Sequence, residues 1–199
     1  MTLGDLLISK VRVKLLEVFL SHPQEMFFVR DLGRKSGAEI NAVRRELVHL
    51  EKVGLVKKEP RANRLYYWLD KTYLFYPELA RMVAKTTGLG GEILRNRQRL
   101  GRISFVLFST NFVSWAERGP DEVDILVVGE VVLPEVAALI RAEEERRGKE
   151  INYTVMTPEE FSFRKRRRDP FLLKILESPR IMILGSEEEL VKSAQTLRV

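Results

Sequence analysis

Apolar residues recur at helical spacing through much of residues 1–87, and this spacing predicts most of the secondary structure there. The segment 38–54 shows it most clearly, because four apolar residues share one face that we expect to be buried. They are Ile40, Val43, Leu47 and Leu50. Gly37 and Gly54 are expected to end helices, as glycines just past a helix commonly do. The predicted elements are helices at 6–20, 30–37, 38–54 and 76–86, a minimal strand at 26–29, and a hairpin of strands 55–59 and 64–70 around the turn 60–63.

Residues 88–199 show a different order, in which short apolar runs alternate with helical patterns. Strands are predicted at 103–108, 123–128, 151–156 and 181–184, and helices at 92–100, 111–117, 133–147 and 158–177. This alternation indicates a mixed sheet flanked by helices. The glycine-rich segment 86–92 between the halves is interpreted as a junction. We therefore expect a two-domain protein of the α+β or α/β class, divided into 1–87 and 88–199, with 88–101 as a linker helix.

The positive charge is concentrated in the first half. The net charge of +6 comes from residues 1–87, which hold 16 Lys and Arg against 10 Asp and Glu, whereas residues 88–199 hold 18 of each. A basic excess within one half indicates a polyanionic partner. The absence of cysteine excludes disulfides and thiolate metal sites, and no apolar run reaches the length of a membrane span. We expect a cytoplasmic protein without a membrane partner.

A short helix, a tight turn, a longer helix and a hairpin follow one another in residues 27–71. This segment, "FFVRDLGRKSGAEINAVRRELVHLEKVGLVKKEPRANRLYYWLDK", resembles the winged helix-turn-helix regulators of the ArsR and MarR kind over about residues 8 to 72. The resemblance implies binding to double-stranded DNA as a homodimer, with the helix 76–86 and the basic helix behind it pairing two copies. Winged helices also serve as protein-interaction modules, so that alternative stays open.

The residues of the longer helix that lie opposite its apolar face have the side chains expected of a DNA-recognition surface. Asn pairs well with adenine and Arg with guanine, each through two hydrogen bonds in the major groove. The preceding helix and the hairpin add residues suited to the phosphate backbone or the minor groove. The candidate DNA-binding residues are Arg30, Arg34 and Lys35, then Asn41, Arg44, Arg45 and His49, and on the hairpin Lys58, Arg61, Asn63 and Arg64.

Two carboxylates stand one residue apart before an apolar run in "RGPDEVDILVVG", residues 118–129. Alternate residues of a strand share a face, so Glu122 and Asp124 could bind one divalent metal ion together. Residues 105–185 resemble the minimal nucleotidyltransferase domain of the polymerase-β superfamily in the order of their elements and in "YTVMTPEEF" and "RDPFLLKILESPRIMILG". That family uses a Gly-Ser pair after the first strand and three carboxylates that hold two metal ions.

This chain departs from that pattern at every one of these positions except Asp124. Ser109 and Thr110 replace the Gly-Ser pair, and the serine adds a Cβ where the backbone has to approach phosphates. Asp124 matches a carboxylate, Glu122 is one methylene longer than the expected Asp, and the third position falls on the neutral Asn152 or Tyr153. We therefore expect no catalytic residues, no metal site beyond the weak candidates Glu122 and Asp124, and no cofactor.

Together these patterns predict a DNA-binding transcriptional regulator whose second domain has lost its chemistry and serves as a sensor or assembly unit. The alternative is a nucleotidyltransferase that uses Mg²⁺ and a nucleotide and is recruited by the winged helix. An antitoxin-like protein that binds a small helical partner is a third reading. The basic run 164–168 is interpreted as a solvated helix face balanced by the acidic runs 143–146 and 187–189, with DNA or a partner's acidic surface as the alternative.

Overall fold

The computed structural model describes residues 9–192, a mixture of helices and two open β-sheets. The chain divides into two compact units, and the division falls between Thr87 and Gly88. Each unit contains one of the sheets. Between residues 9 and 192 no helix is long and apolar enough to cross a membrane.

Over residues 9–87, the first unit consists of four helices and a small sheet. In chain order its elements are α1 (Lys10–Ser21), β1 (Phe27–Phe28), α2 (Val29–Ser36), α3 (Ile40–Lys52), β2 (Val56–Arg61), β3 (Arg64–Leu69) and α4 (Tyr76–Thr86). The sheet is antiparallel with β3 in the centre. The predicted helices at 30–37, 38–54 and 76–86 are confirmed. The helix predicted at 6–20 begins at Lys10 with Ser9 as its N-cap, and positions 6–8 lie outside the described residues.

Buried apolar side chains and two glycines determine where α2 and α3 lie. Leu32 of α2 and Leu47 of α3 are fully buried. Gly37 follows α2 in the left-handed conformation, with φ 59°, and Gly54 follows α3 with φ 82°. Glycine adopts these angles at little cost, so the chain can turn sharply after each helix. The two glycines thus fix the angle at which α3 leaves α2 and the point at which the hairpin begins.

Two predictions about the first unit are wrong in detail. Ile40 was expected in the buried face of α3, but it is 38% exposed, because it is the first residue of the helix and no further turn covers it. Its Cγ1 instead faces Gly33 of α2. The hairpin turn is also shorter than the predicted 60–63. Arg61 pairs with Arg64, which leaves Ala62 and Asn63 as a two-residue turn, with Ala62 at φ 50°.

The second unit has helices on both faces of a four-stranded sheet. Its elements are α5 (Gly88–Arg95), β4 (Gly101–Ser109), α6 (Thr110–Ser114), β5 (Ile125–Val131), α7 (Leu133–Arg147), β6 (Tyr153–Met156), α8 (Pro158–Arg166), α9 (Pro170–Glu177), β7 (Arg180–Leu184) and α10 (Glu187–Lys192). The strand order is β6-β5-β4-β7, in which only β5 and β6 run parallel among the described strands. The predicted mixed sheet flanked by helices is confirmed.

The core of this unit follows from the alternation of side chains along β5. Ile125 and Val127 face a layer that contains residues of α5 and α7. Leu126 and Val128 face the opposite layer, where they pack with residues of α8, α9 and α10. All four are buried, which is why the sequence of β5 is an unbroken apolar run. Because helices cover both faces of β5, the residues just before its first strand position lie at the edge of the two helical layers.

Two predicted elements of the second unit differ from the structure. Residues 88–101 do not form a linker helix, and α5 ends at Arg95 with its apolar side buried inside the unit. The two glycines Gly90 and Gly91 are buried in that helix, so a segment that looks like a linker in sequence packs as core. The helix predicted at 158–177 is two helices, because Asp169 and Pro170 start a new one.

Candidate functional site

The start of α3 is fixed by its N-terminal cap. The Glu39 carboxylate accepts hydrogen bonds from the backbone N–H groups of Asn41, at 2.8 Å, and Ala42, at 2.9 Å. These two bonds lower the pKa of Glu39, so it stays ionised and suits the positive end of the helix dipole. Buried Val43, Leu47 and Leu50 hold the opposite side of α3 against the unit.

The outward side of α3 carries most of the residues predicted to recognise bases. Asn41, Arg44, Arg45 and His49 are all exposed. Arg44 Nη1 donates to Asn41 Oδ1 at 3.2 Å, which links two of these side chains along the helix. Within residues 9–192 neither Arg44 nor Arg45 forms an ion pair, so both guanidinium groups can form their charge-assisted hydrogen bonds with a partner.

The predicted residues of α2 are exposed as well, but two of them have local partners. Arg34 pairs with Asp31 at 3.0 Å. The Lys35 ammonium lies 5.6 Å from the centre of the Phe27 ring. Arg30 is exposed at the start of the helix. The charge of Arg34 is therefore partly compensated before any partner arrives.

The hairpin places its four predicted residues in the solvent. Lys58 pairs with Glu51 of α3 at 2.7 Å, and Arg61 pairs with its neighbour Glu59. The Arg64 guanidinium lies 4.5 Å from the centre of the Phe28 ring, which orients it over β1. Asn63 is in the turn itself. All eleven residues predicted to contact DNA are thus exposed and belong to α2, α3 and the hairpin of one unit.

Two exposed residues of α3, Val48 and Lys52, are not among the predicted DNA contacts. Val48 is 62% exposed, on the same side of the helix as Arg44 and Arg45. Counting 3.6 residues per turn from the buried Val43 and Leu47 would have placed it there. Lys52 lies one turn further along this side and is also exposed.

In the second unit, the predicted Ser109 and Thr110 lie where β4 meets α6. Ser109 Oγ accepts a hydrogen bond from the Phe112 N–H at 3.1 Å and so caps α6. The Thr110 N–H donates to the Pro179 carbonyl at 3.0 Å, while its side chain is exposed. Ser109, which stands where the family has glycine, is therefore engaged in holding the short helix, whereas Thr110, which stands where the family has the serine, is exposed.

Glu122 precedes β5 and is fixed by two donors. Its Oε2 accepts from the Gly119 N–H at 2.9 Å and from Asn111 Nδ2 at 3.0 Å. The Gly119 bond first, and the Asn111 bond next, lower the pKa of Glu122, so it is a carboxylate at neutral pH. It lines a cavity of about 160 Å³ together with the hydroxyls of Ser109 and Thr110 and residues of α9.

Asp124 also precedes β5 but has a different environment. It is 6% exposed, and its Oδ2 accepts from Arg118 Nη1 at 2.7 Å and from the Asn152 N–H at 2.9 Å. It lines a separate cavity of about 60 Å³, beside Trp115 and Arg147. The strand was predicted to begin at 123 and begins at Ile125, so the alternation that would put Glu122 and Asp124 on one face does not apply.

These positions do not fit a two-metal site. No group of three or more His, Cys, Asp or Glu side chains that could hold a metal ion occurs in the described part of the chain. Asp124 is paired with an arginine, and Asn152, at the third position, donates its Nδ2 to the Glu122 carbonyl at 2.8 Å. The carboxylates that such chemistry needs are instead part of the internal hydrogen bonding of the unit.

In the basic run 164–168, two positive charges contact groups outside the acidic runs that were predicted to neutralise them. Arg164 pairs with Glu160 at 2.9 Å, and Lys165 donates to main-chain oxygens in α10. The acidic runs 143–146 and 187–189 have other partners, since Glu143 pairs with Arg146 and Arg147, and Glu187 pairs with Arg180. Arg166 and Arg168 are exposed and form no ion pair with any described residue.

Comparison of the chain with known protein families, with curated proteins and with solved structures finds no match. A function must therefore be derived from the residues of this chain and their geometry.

Proposed function

We propose that the protein is a DNA-binding transcriptional regulator whose first unit, a winged helix-turn-helix, recognises bases in the major groove through α3. The observation that supports this most is the outward side of α3, where Asn41, Arg44 and Arg45 are exposed and neither guanidinium group forms an ion pair with any residue between 9 and 192. The other predicted contacts, on α2 and the hairpin, suit phosphates on either side of such a helix. The excess positive charge of residues 1–87 would attract the DNA.

In this proposal the protein acts in the cytoplasm as a homodimer, and the second unit regulates or assembles it. The cavity beside Glu122 offers hydroxyls, a carboxylate and, from α9, the Lys174 ammonium, which suits a small polar effector better than catalysis. Two copies related by a two-fold axis would bind two half-sites about one helical turn, about 34 Å, apart.

Selection of bound duplexes from a random pool tests this function. The full chain is incubated with the pool at near-physiological salt, and bound duplexes are amplified and sequenced over several rounds. We expect enrichment of one inverted repeat and an affinity for it that falls steeply with salt. If no sequence is enriched above the starting pool, the protein is not a sequence-specific regulator, and the winged-helix unit is better assigned to contacts with proteins.

The alternative of nucleotide transfer is favoured by one observation, the ionised Glu122 beside the Ser109 and Thr110 hydroxyls. Because the residues do not fit the metal ions, we expect no transfer when the protein is incubated with labelled nucleoside triphosphates and Mg²⁺ or Mn²⁺. Mass spectrometry and autoradiography of the protein, of added DNA and of added RNA provide the measurement. Incorporation by the wild type that the Asp124→Asn variant lacks would establish the enzyme instead.

A further inference from the structure

The exposed side of α3 contains an aliphatic residue in the middle of its polar surface. Val48 is four residues after Arg44 and three after Arg45, so on a helix of 3.6 residues per turn it adjoins both arginines. Lys52 is one turn beyond it on the same side. Three cationic residues therefore adjoin Val48, which is 62% exposed, and the fourth neighbour, Glu51, is already paired with Lys58 at 2.7 Å.

Valine is an unfavourable choice for this position if the helix merely faces water. A β-branched side chain loses rotamer freedom in a helix, which makes valine less favourable than alanine at an exposed helical position. Val48 is not compensated by burial, unlike Val43, which is fully buried on the other side of the same helix. An apolar group beside two arginines suits a partner surface that combines negative charge with a small apolar feature.

The major groove of DNA provides such a surface. Its edges carry hydrogen-bonding groups and a single kind of apolar group, the C5 methyl of thymine. We propose that Val48 contacts a thymine methyl next to the base bound by Arg44 or Arg45, so that each half-site contains a thymine at that step. This inference rests on the proposed function, since it requires α3 to lie in the major groove.

Replacing thymine with deoxyuridine tests the contact, because this change removes the methyl group and leaves the base pairing unchanged. Each thymine of the selected duplex is replaced in turn, and the affinity of the full chain is measured by fluorescence anisotropy. We expect one symmetry-related position at which the loss of the methyl weakens binding about fourfold per half-site, the effect of exposing one methyl group to water.

The Val48→Ala variant assigns that effect to a residue. Alanine favours the helix, so α3 is expected to keep its structure, and the variant should bind the thymine and deoxyuridine duplexes with nearly equal affinity. Val53→Ala is the matched control. Val53 is the C-cap of the same helix and is 44% exposed, so the same chemical change there should leave the fourfold difference intact.

The outcomes separate the inference from the function it rests on. Wild-type protein that binds the selected duplex but is insensitive to deoxyuridine at every position overturns the inference and leaves the regulator function standing. A sensitive position that Val48→Ala does not affect overturns the assignment to Val48. Failure to bind any duplex selectively overturns both.

Discussion

Replacing Arg44 and Arg45 together with alanine is expected to remove the preference of the protein for its selected duplex over a scrambled one. Each arginine that binds a guanine through two hydrogen bonds contributes about 1 to 3 kcal/mol of discrimination. We therefore expect the ratio of the two affinities to fall by at least about 30-fold. Both side chains are exposed on α3, and neither supports the core, so the variant should fold as the wild type does.

Two further variants distinguish base recognition from simple loss of charge. Arg166→Ala with Arg168→Ala removes two exposed arginines of the second unit that pair with no acidic residue in the described part of the chain, and should leave the preference unchanged. Arg30→Ala with Lys35→Ala removes two cations of α2 and should weaken binding to both duplexes equally. It should also reduce the salt slope by about 0.9 for each lost phosphate contact. A double variant of Arg44 and Arg45 that keeps the wild-type preference would contradict the role assigned to α3.

Replacing Glu143 with alanine is expected to destabilise the second unit by about 3 to 5 kcal/mol. Glu143 is 5% exposed and accepts hydrogen bonds from Arg146, at 2.5 Å, and Arg147, at 2.6 Å. The Arg147 guanidinium lies 3.8 Å from the centre of the Phe112 ring and donates to the Phe112 carbonyl. Without Glu143 this arginine would stay buried without its counter-charge.

Urea unfolding measures this effect. Trp115 lies 4.6 Å from the Arg147 guanidinium, so its fluorescence reports on this part of the second unit once Trp68, the other tryptophan, is replaced with phenylalanine. Glu130→Ala is the control, because Glu130 pairs with Arg102 on the surface, where an ion pair contributes less than about 1 kcal/mol. Equal losses of stability in the two variants would contradict this prediction, because the buried Glu143 would then contribute no more than the surface residue Glu130.

The Glu143 carboxylate also makes the free energy of unfolding depend on pH, and the direction of that dependence follows from the shift of its pKa. Burial alone would raise the pKa of Glu143, but the hydrogen bonds from Arg146 and Arg147 outweigh it, so the pKa lies below its ordinary value. A lowered folded-state pKa means stability that is complete above the unfolded-state pKa and is lost as the pH falls through the folded one. The difference in unfolding free energy between the wild type and Glu143→Gln should therefore shrink on acidification below about pH 4.5.

The sequence predicts the first unit well because its signals are local. The apolar spacing within α3 and the glycines after α2 and α3 act over a few residues, and the helix at Tyr76–Thr86 has the predicted bounds. Exposure is harder to predict, as Ile40 shows, because it depends on what covers the end of a helix. Val48 was overlooked although the same periodicity places it outside.

The second unit was harder to predict because distant residues decide its local structure. Gly90 and Gly91 look like a linker, yet the helix that contains them is buried in the unit. Glu122 and Asp124 differ in environment because Asn111 binds one and Asn152 binds the other. Glu143 belongs to a run of charged residues that indicates a solvated helix, but in the folded unit its side chain is buried. Sequence periodicity contains no information about such partners.

Binding to the duplex upstream of the protein's own gene tests the central claim most directly. Fluorescence anisotropy is measured with this duplex and with a scrambled duplex of the same composition, at several salt concentrations. The proposed function predicts tight binding to the upstream duplex alone, with an affinity that falls steeply as salt rises. Equal, weak binding to the two duplexes at every salt concentration would contradict it.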